Sequence, residues 1–359
     1  ASKPLIDKLF VEFPLHKVVI TTTTITGSNA VLAHYKNQVT HYFFPFDVYF
    51  SINLFVKKIK PVVCILLETE IWPNLIKKMN DDGIPVALIN ARLSDRSFKK
   101  YNKYSAKLVS SSLKKLSIIC SQNESSSKRF LSLGALKQNV YTTGSIKFDV
   151  KEPVNLKSVQ EIKSIVGRRK VVAFASTRDG EERKIIESFL ALKNKLNALL
   201  LIIPRHPERF NLVFDIAKAS GLKVSKRSSG KPCERDTDIL IGDSMGEMIS
   251  YFSISDIAFI GGSLTNDGGQ NMLEAASLSK PIIFGPSVFN FEEISKKLID
   301  DGSAISVKSA DELMIEISDL LSNDTKRRII GENAGATFGK NCGATDKVIN
   351  AITPYIKSV

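Results

Sequence analysis

Glu68 and Glu70 close an apolar run, Pro61–Leu67 (PVVCILL), and stand two residues apart. On an extended strand that spacing turns both carboxylates to one side. Such a pair could do acid–base work or stabilise charge. It could equally be a strand end satisfied by lysines or helix N-termini. Lys147 and Arg92 could answer an anion there, or be lone solvated charges. Pro204 and Arg205 follow another apolar run, Ala198–Ile203, and the Arg205 guanidinium suits bidentate pairing with a phosphate or carboxylate. Ser244-Met245-Gly246-Glu247 has capping-box spacing, so Glu247 reads as a helix cap or as a ligand-binding carboxylate. The richest stretch is Ile257–Pro286, IAFIGGSLTNDGGQNMLEAASLSKPIIFGP. Gly261, Gly262, Gly268 and Gly269 permit tight turns and close approach to a ligand. A helix is expected from about Asn271, with Leu273, Ala276 and Ser277 on its packed side. Its first-turn N–H groups and dipole suit a phosphate. In the bland alternative, Asn271 and Glu274 are only an N-cap and its partner.

These clusters need strands to carry them, and the apolar runs supply candidates. In the first half they are Lys17–Thr24, Pro61–Leu67, Ile84–Asn90 and Leu116–Ser121, with a helical face over Pro4–Phe13. Pro73 suits the first turn of a helix after Trp72. In the second half they are Lys170–Ser176, Ala198–Ile203, Lys223–Lys226, Asp238–Ile241, Ile257–Ile260 and Pro281–Phe284. Strands alternating with helices in two halves predict an α/β chain of two doubly wound, Rossmann-like domains facing a cleft. The expected division is a domain at 1–150, a charged linker at 151–169 and a second domain at 170–359. His41–Phe50 (HYFFPFDVYF) is too aromatic for a plain loop. Tyr42 and Phe44 are expected in the core, and Phe46, Tyr49 and Phe50 are left open between core and an exposed partner surface.

With 359 residues, 43% of them hydrophobic, the chain is globular and long enough for about two domains. The 50 Lys+Arg against 37 Asp+Glu leave a net charge of +13, which favours anionic partners. Without a nucleic-acid-binding motif, a phosphorylated substrate or an anionic bilayer fits that charge better than RNA or DNA. Cys64, Cys120, Cys233 and Cys342 form no CxxC and read as reduced cysteines of a cytosolic protein. The four histidines lack metal-ligand spacing. No apolar run approaches the ~20 residues of a membrane span.

Taken together, the segments LETEIWPNL (67–75), NARLSDRS (90–97), TGSIKFD (143–149), IIPRHPERF (202–210), GDSMGE (242–247), GGSLTNDGGQNMLEAA (261–276) and FGPSVFNFEEI (284–294) carry a resemblance. The second half resembles the nucleotide-binding domain of a GT-B glycosyltransferase. More narrowly, the chain resembles the 3-deoxy-D-manno-octulosonic acid (Kdo) transferases, which move Kdo from CMP-Kdo to the lipid A precursor, lipid IVA. The resemblance implies that Pro204, Arg205, Met245, Gly246, Glu247, Asn271, Met272, Leu273 and Glu274 hold CMP. Glu274 would take the ribose hydroxyls. Glu68 and Lys147 match the family's transition-state-stabilising pair. It also implies inverting chemistry without a bound metal or cofactor, an anionic membrane surface as partner, no nucleic acid, and a place at the cytoplasmic face of the inner membrane.

Two departures stand out: Gln270 and Arg178 occupy positions where the family usually has histidine, and each keeps a hydrogen-bond donor. The family's general-base glutamate and membrane anchor would fall upstream of Ala1. The expectation is therefore a chain truncated at its start, with a weakened first domain and no base of its own. The alternatives are another GT-B enzyme using a UDP-sugar, or a non-catalytic sugar-nucleotide-binding protein.

Overall fold

The computed structural model describes residues 2–150, 153–192 and 196–356. The chain divides into two compact units, Ala1–Val150 with Asn341–Val359, and Lys151–Lys340. No helix among the described residues is long and apolar enough to cross a membrane.

The first unit begins with helix α1 (Lys3–Glu12), strand β1 (Val19–Thr22), α2 (Ile25–Tyr35) and β2 (Thr40–Phe43). It continues through α3 (Tyr49–Ile59), β3 (Cys64–Leu67), α4 (Pro73–Asp81) and β4 (Val86–Ala91). Then come α5 (Asp95–Tyr104), α6 (Ala106–Leu113), β5 (Ile118–Ser121), α7 (Glu124–Ser132) and β6 (Val140–Thr142). All pairings are parallel, but they form two sheets: β1 with β2, and β3-β4-β5-β6. Every residue of β4 is buried, as a strand covered on both faces should be.

The aromatic stretch after β1 splits by position. Phe44 packs on Trp72 with ring centroids 4.7 Å apart, and Tyr42 meets Phe55 edge-on at 6.2 Å. Phe46, Tyr49 and Phe50 project outward, at 86%, 58% and 72% exposure. Between them the Asp47 carboxylate accepts from the backbone N–H groups of Asn74 (3.0 Å) and Leu75 (2.9 Å). That satisfies free donors at the start of α4, which Pro73 opens.

The second unit opens on α8 (Leu156–Val166), within residues expected as linker. Val159, Ile162, Ile165 and Val166 recur at helical spacing and are buried. The Asn155 side chain caps the helix by accepting from Ser158 N at 3.2 Å. The charges between those residues masked the periodicity. Next come β7 (Lys170–Thr177), α9 (Glu181–Leu192), β8 (Ala198–Pro204), α10 (Phe210–Ala219), β9 (Val224–Lys226) and β10 (Ile239–Ile241). They are followed by α11 (Met248–Ile254), β11 (Ile257–Ile260), α12 (Leu273–Ser277), β12 (Ile282–Phe284), α13 (Glu292–Asp300), β13 (Ala304–Ser306), α14 (Ala310–Ser322) and α15 (Asp324–Asn341). The strands form one parallel sheet in the order β13-β12-β11-β7-β8-β10-β9. Chain order reverses between β7 and β11, the place where open α/β sheets bind ligands. Phe174, Phe189, Ile202, Phe259 and Met314 lie in its core.

The second domain does not run to the end of the chain, as 170–359 had predicted. Helix α16 (Ala344–Ile352) belongs to the first unit, where Val348, Ile349 and Ile352 pack with Leu5, Ile89, Ile118 and Ile146. Asp149 fixes its start by accepting from Gly343 N and Thr345 N, both at 2.6 Å. An amphipathic helix goes where its apolar face finds cover, irrespective of its place in the chain.

Gly261 shows how tightly the second sheet is drawn at its carboxyl edge. A Cβ there would meet the Ser176 carbonyl oxygen and Thr177 Cα, both at 2.7 Å. Gly261→Ala is expected to lower stability by about 1–3 kcal/mol through overpacking, read as a lower urea midpoint with an unchanged slope.

Candidate functional site

The proposed residues fall into two clusters, one at the carboxyl edge of a sheet in each unit. In the first unit Lys147 Nζ lies 3.2 Å from Glu68 Oε1, with side-chain exposures of 19% and 40%. Glu70 does not share their side. Glu68 has φ +59°, which breaks the two-residue alternation just past β3. The turn then closes through Glu70 N to Leu67 O at 3.2 Å, and the Glu70 carboxylate accepts from Trp72 Nε1 at 2.6 Å. The expected pair of carboxylates is thus a carboxylate and an ammonium. Arg92 enters through its backbone, whose carbonyl accepts from Thr69 Oγ1 at 2.8 Å.

Asn90 holds this arrangement and was missed as a site residue. It is fully buried, has φ +49°, and falls at a register break between β4 and β5. Its Oδ1 accepts from Ile146 N at 3.2 Å, and its carbonyl accepts from Gln122 Nε2 at 2.9 Å. The Ile146 anchor places the next residue, Lys147. An asparagine closing an apolar strand was the available signal, because asparagine tolerates the left-handed region.

In the second unit the proposed nucleotide residues follow β8, β10 and β11. Pro204 is buried, whereas Arg205 is exposed and its N–H donates to Thr177 O at 3.1 Å. Met245 is 59% exposed, and Gly246 turns with φ +78°. Glu247 is no capping-box partner. Its Oε1 accepts from Ser158 Oγ at 2.6 Å and Arg227 Nη2 at 3.1 Å, and its Oε2 accepts from Ser244 Oγ. Burial pushes the Glu247 carboxyl up, but the hydrogen bonds from Ser158 and Ser244 and the Arg227 charge outweigh it and hold it below the ordinary value.

The backbone donors just after β11 are already taken. Glu181, fully buried, accepts from Gly262 N (2.8 Å) and Arg178 N (3.1 Å) on Oε2, and from Leu264 N (3.0 Å) and Ser263 N (3.2 Å) on Oε1. Burial raises its pKa, against the hydrogen bonds from Gly262, Leu264 and Arg178. The helix after the glycines is short, starting at Leu273, whose N–H donates to Asn271 Oδ1 at 3.1 Å. Asn271 Nδ2 also donates to Glu274 Oε1 at 2.7 Å, so the local pairing of these two residues is present. Met272 and Leu273 are buried, leaving them only backbone groups to offer; Ser277, expected in the packed face, is exposed. Glu182, also buried, accepts from Thr177 Oγ1 and Arg209 Nη2, both at 3.0 Å. The adjacent acids after Asp179-Gly180 were the signal for this pair of struts. They read like an ordinary solvated helix start.

Residues 1–150 match the family described as 3-deoxy-D-manno-octulosonic-acid transferase (kdotransferase), and residues 160–337 match glycosyl transferases group 1. The chain is 37% identical over 361 residues to the 3-deoxy-D-manno-octulosonic acid transferase of Haemophilus influenzae, covering 99% of this chain and 84% of that protein. The chain belongs to the Kdo transferase family. It is a glycosyltransferase. The transferase of Bordetella pertussis is 33% identical over 370 residues, covering 99% of this chain and 84% of that protein. Among solved structures, the UDP-GlcNAc 2-epimerase of Neisseria meningitidis bound to UDP-GlcNAc superposes with a TM-score of 0.64 at 15% identity, over 98% of this chain and 96% of that one. That likeness is one of fold, and the fold is GT-B.

The Glu247 network gives a pH dependence with a definite sign. A carboxyl whose folded pKa lies below its unfolded one adds stability above the unfolded value and loses it as pH falls through the folded value. Glu247→Gln is therefore expected to flatten the acid limb of the urea midpoint against pH, leaving the neutral limb parallel to wild type.

Proposed function

We propose that this transferase moves Kdo from CMP-Kdo to the lipid A precursor, lipid IVA, with inversion, during lipopolysaccharide core biosynthesis. The observation that carries the reading is the Lys147–Glu68 pair at 3.2 Å, at the carboxyl edge of its sheet. The donor sugar bears a carboxylate, and CMP leaves as a phosphate anion. A preorganised ammonium is the kind of group that stabilises such charge without reorganising at the moment of transfer. Lys147 is four-fifths covered, so its field is less damped by solvent than that of a surface lysine. Glu68 keeps the ammonium oriented, and its left-handed backbone is the kind of strain held at working sites.

CMP is assigned to the second unit, with Pro204, Arg205, Met245, Gly246, Glu247 and Asn271 through Glu274 around it. Arg205 brings an exposed guanidinium for the phosphate, and Glu274 a carboxylate for the ribose hydroxyls.

The acceptor is a bisphosphorylated lipid, and we place the enzyme at the cytoplasmic face of the inner membrane. Supporting this, Phe46, Val48, Tyr49, Phe50 and Leu54 are exposed along the start of α3, and Lys57, Lys58 and Lys60 are exposed at its end. Apolar side chains beside a basic cluster suit an anionic bilayer. The doubly substituted Phe46→Ser/Phe50→Ser protein should sediment less with anionic vesicles, while CMP binding stays at the wild-type level. Undiminished sedimentation would remove this face from the reading.

Glu68→Gln and Lys147→Ala test the chemistry, in protein expressed from its native reading frame. Both are expected to lower kcat by about 100-fold or more, as loss of a preorganised charge does, with little change in KM for CMP-Kdo. A change confined to KM would make the pair a binding feature only.

A further inference from the structure

Arg178 follows β7 directly, at the reversal of strand order in the second sheet. Its Nη1 lies 2.6 Å from His206 Nε2. Arginine has no acceptor, so the guanidinium donates and His206 Nε2 is unprotonated. His206 then carries its proton on Nδ1, which faces Glu208 Oε1 at 3.8 Å. His206 thus accepts from the guanidinium and aims it, while the Glu208 carboxylate stays beyond hydrogen-bond reach of Nδ1. The Arg178 Nε–H is buried and has no hydrogen-bond partner.

Three other partly buried arginines meet carboxylates, whereas Arg169 meets backbone carbonyls. Arg209 pairs with Asp179 and Glu182, Arg227 with Glu161 and Glu247, and Arg129 with Asp95. Among the described residues no carboxylate forms an ion pair with the Arg178 side chain, and a neutral imidazole cannot balance its charge. A partly buried cation with an unused donor is costly unless something anionic completes it. Gly262 lies close against the Arg178 methylene stem. A Cβ at Gly262 would lie 3.3 Å from Arg178 Cγ and 3.2 Å from Gln270 Nε2. It would also lie 3.3 Å from Asp267 Cβ, but the Asp267 carboxylate already accepts from Thr265 Oγ1 at 2.6 Å. The Arg178 methylene stem and the Gln270 amide therefore both reach Gly262 at the strand-order reversal, while Glu181 accepts from the Gly262 N–H.

We propose that Arg178, aimed by His206, binds an oxyanion of the donor nucleotide-sugar. This rests on the CMP-Kdo reading above. The oxyanion is either the phosphate of CMP or the carboxylate of the sugar, since a guanidinium fork matches both.

The test is calorimetric titration of the whole chain and of Arg178→Gln, Arg178→Lys and His206→Ala with CMP, cytidine and CMP-Kdo. Thermal melts confirm that each variant folds. Wild type should bind CMP, and Arg178→Gln should weaken an oxyanion-bearing ligand on the order of 10- to 100-fold, the worth of a charge-assisted bidentate contact. Cytidine should bind both proteins equally. Arg178→Lys should fall between them, because it keeps the charge and loses the fork. His206→Ala should weaken binding several-fold by releasing the guanidinium. A loss already present with CMP assigns the phosphate; a loss seen only with CMP-Kdo assigns the sugar carboxylate. Wild-type affinity of Arg178→Gln and Arg178→Lys for both ligands overturns the inference and leaves the donor reading standing. Failure of the wild-type chain to bind either ligand overturns the donor reading, and the inference with it.

Discussion

The ligand-facing edge of the second unit depends on one buried carboxylate. Glu181 receives four backbone N–H groups, one from the segment after β7 and three from the turn after β11. Those donors cannot find partners within helix or sheet, because both segments leave their strands there. Left unpaired and buried, each would cost about 1–3 kcal/mol. The carboxylate is itself expensive to bury, and the donors offset part of that cost. The strand-order reversal is thereby tied across its gap. Gly261 can then lie against the Ser176 carbonyl, and Arg178 can stand beside Gly262.

The first unit uses backbone conformation to the same end. Glu68 and Asn90 end neighbouring strands in the left-handed region. Each redirects a side chain that regular alternation would have sent elsewhere. Asn90 then holds the backbone before Lys147, and Lys147 meets Glu68. The pair is therefore made by two strand ends and a distant loop, with a single amide as the connection.

Much of the framework was legible beforehand. Runs such as Ile257–Ile260 and Ala198–Ile203 are apolar throughout, as strands buried on both faces must be, and they appear as β11 and within β8. Three readings failed for identifiable reasons. The periodicity of α8 was hidden by charged residues on its solvent face. Helix α16 was assigned by chain position, although its apolar face is covered by the first unit. Glu68 and Glu70 were placed on one side by strand alternation, which a residue of positive φ interrupts.

By itself the sequence determined the α/β class, most strand positions, the family and the residue types available for chemistry. Those follow from short-range pattern and from motif order, which survive without knowledge of contacts. Only tertiary structure decided which polar groups work on a ligand and which work on the protein. Glu181 and Glu182 become struts because the fold buries them beside unpaired donors and a guanidinium. Glu247 becomes a hub because Ser158 and Arg227, far away in sequence, converge on it. Arg178 carries a charge that no carboxylate balances because the partner brought to it is an imidazole. A side chain's role depends on what desolvates it and what answers its charge, and both are set by residues remote in the chain.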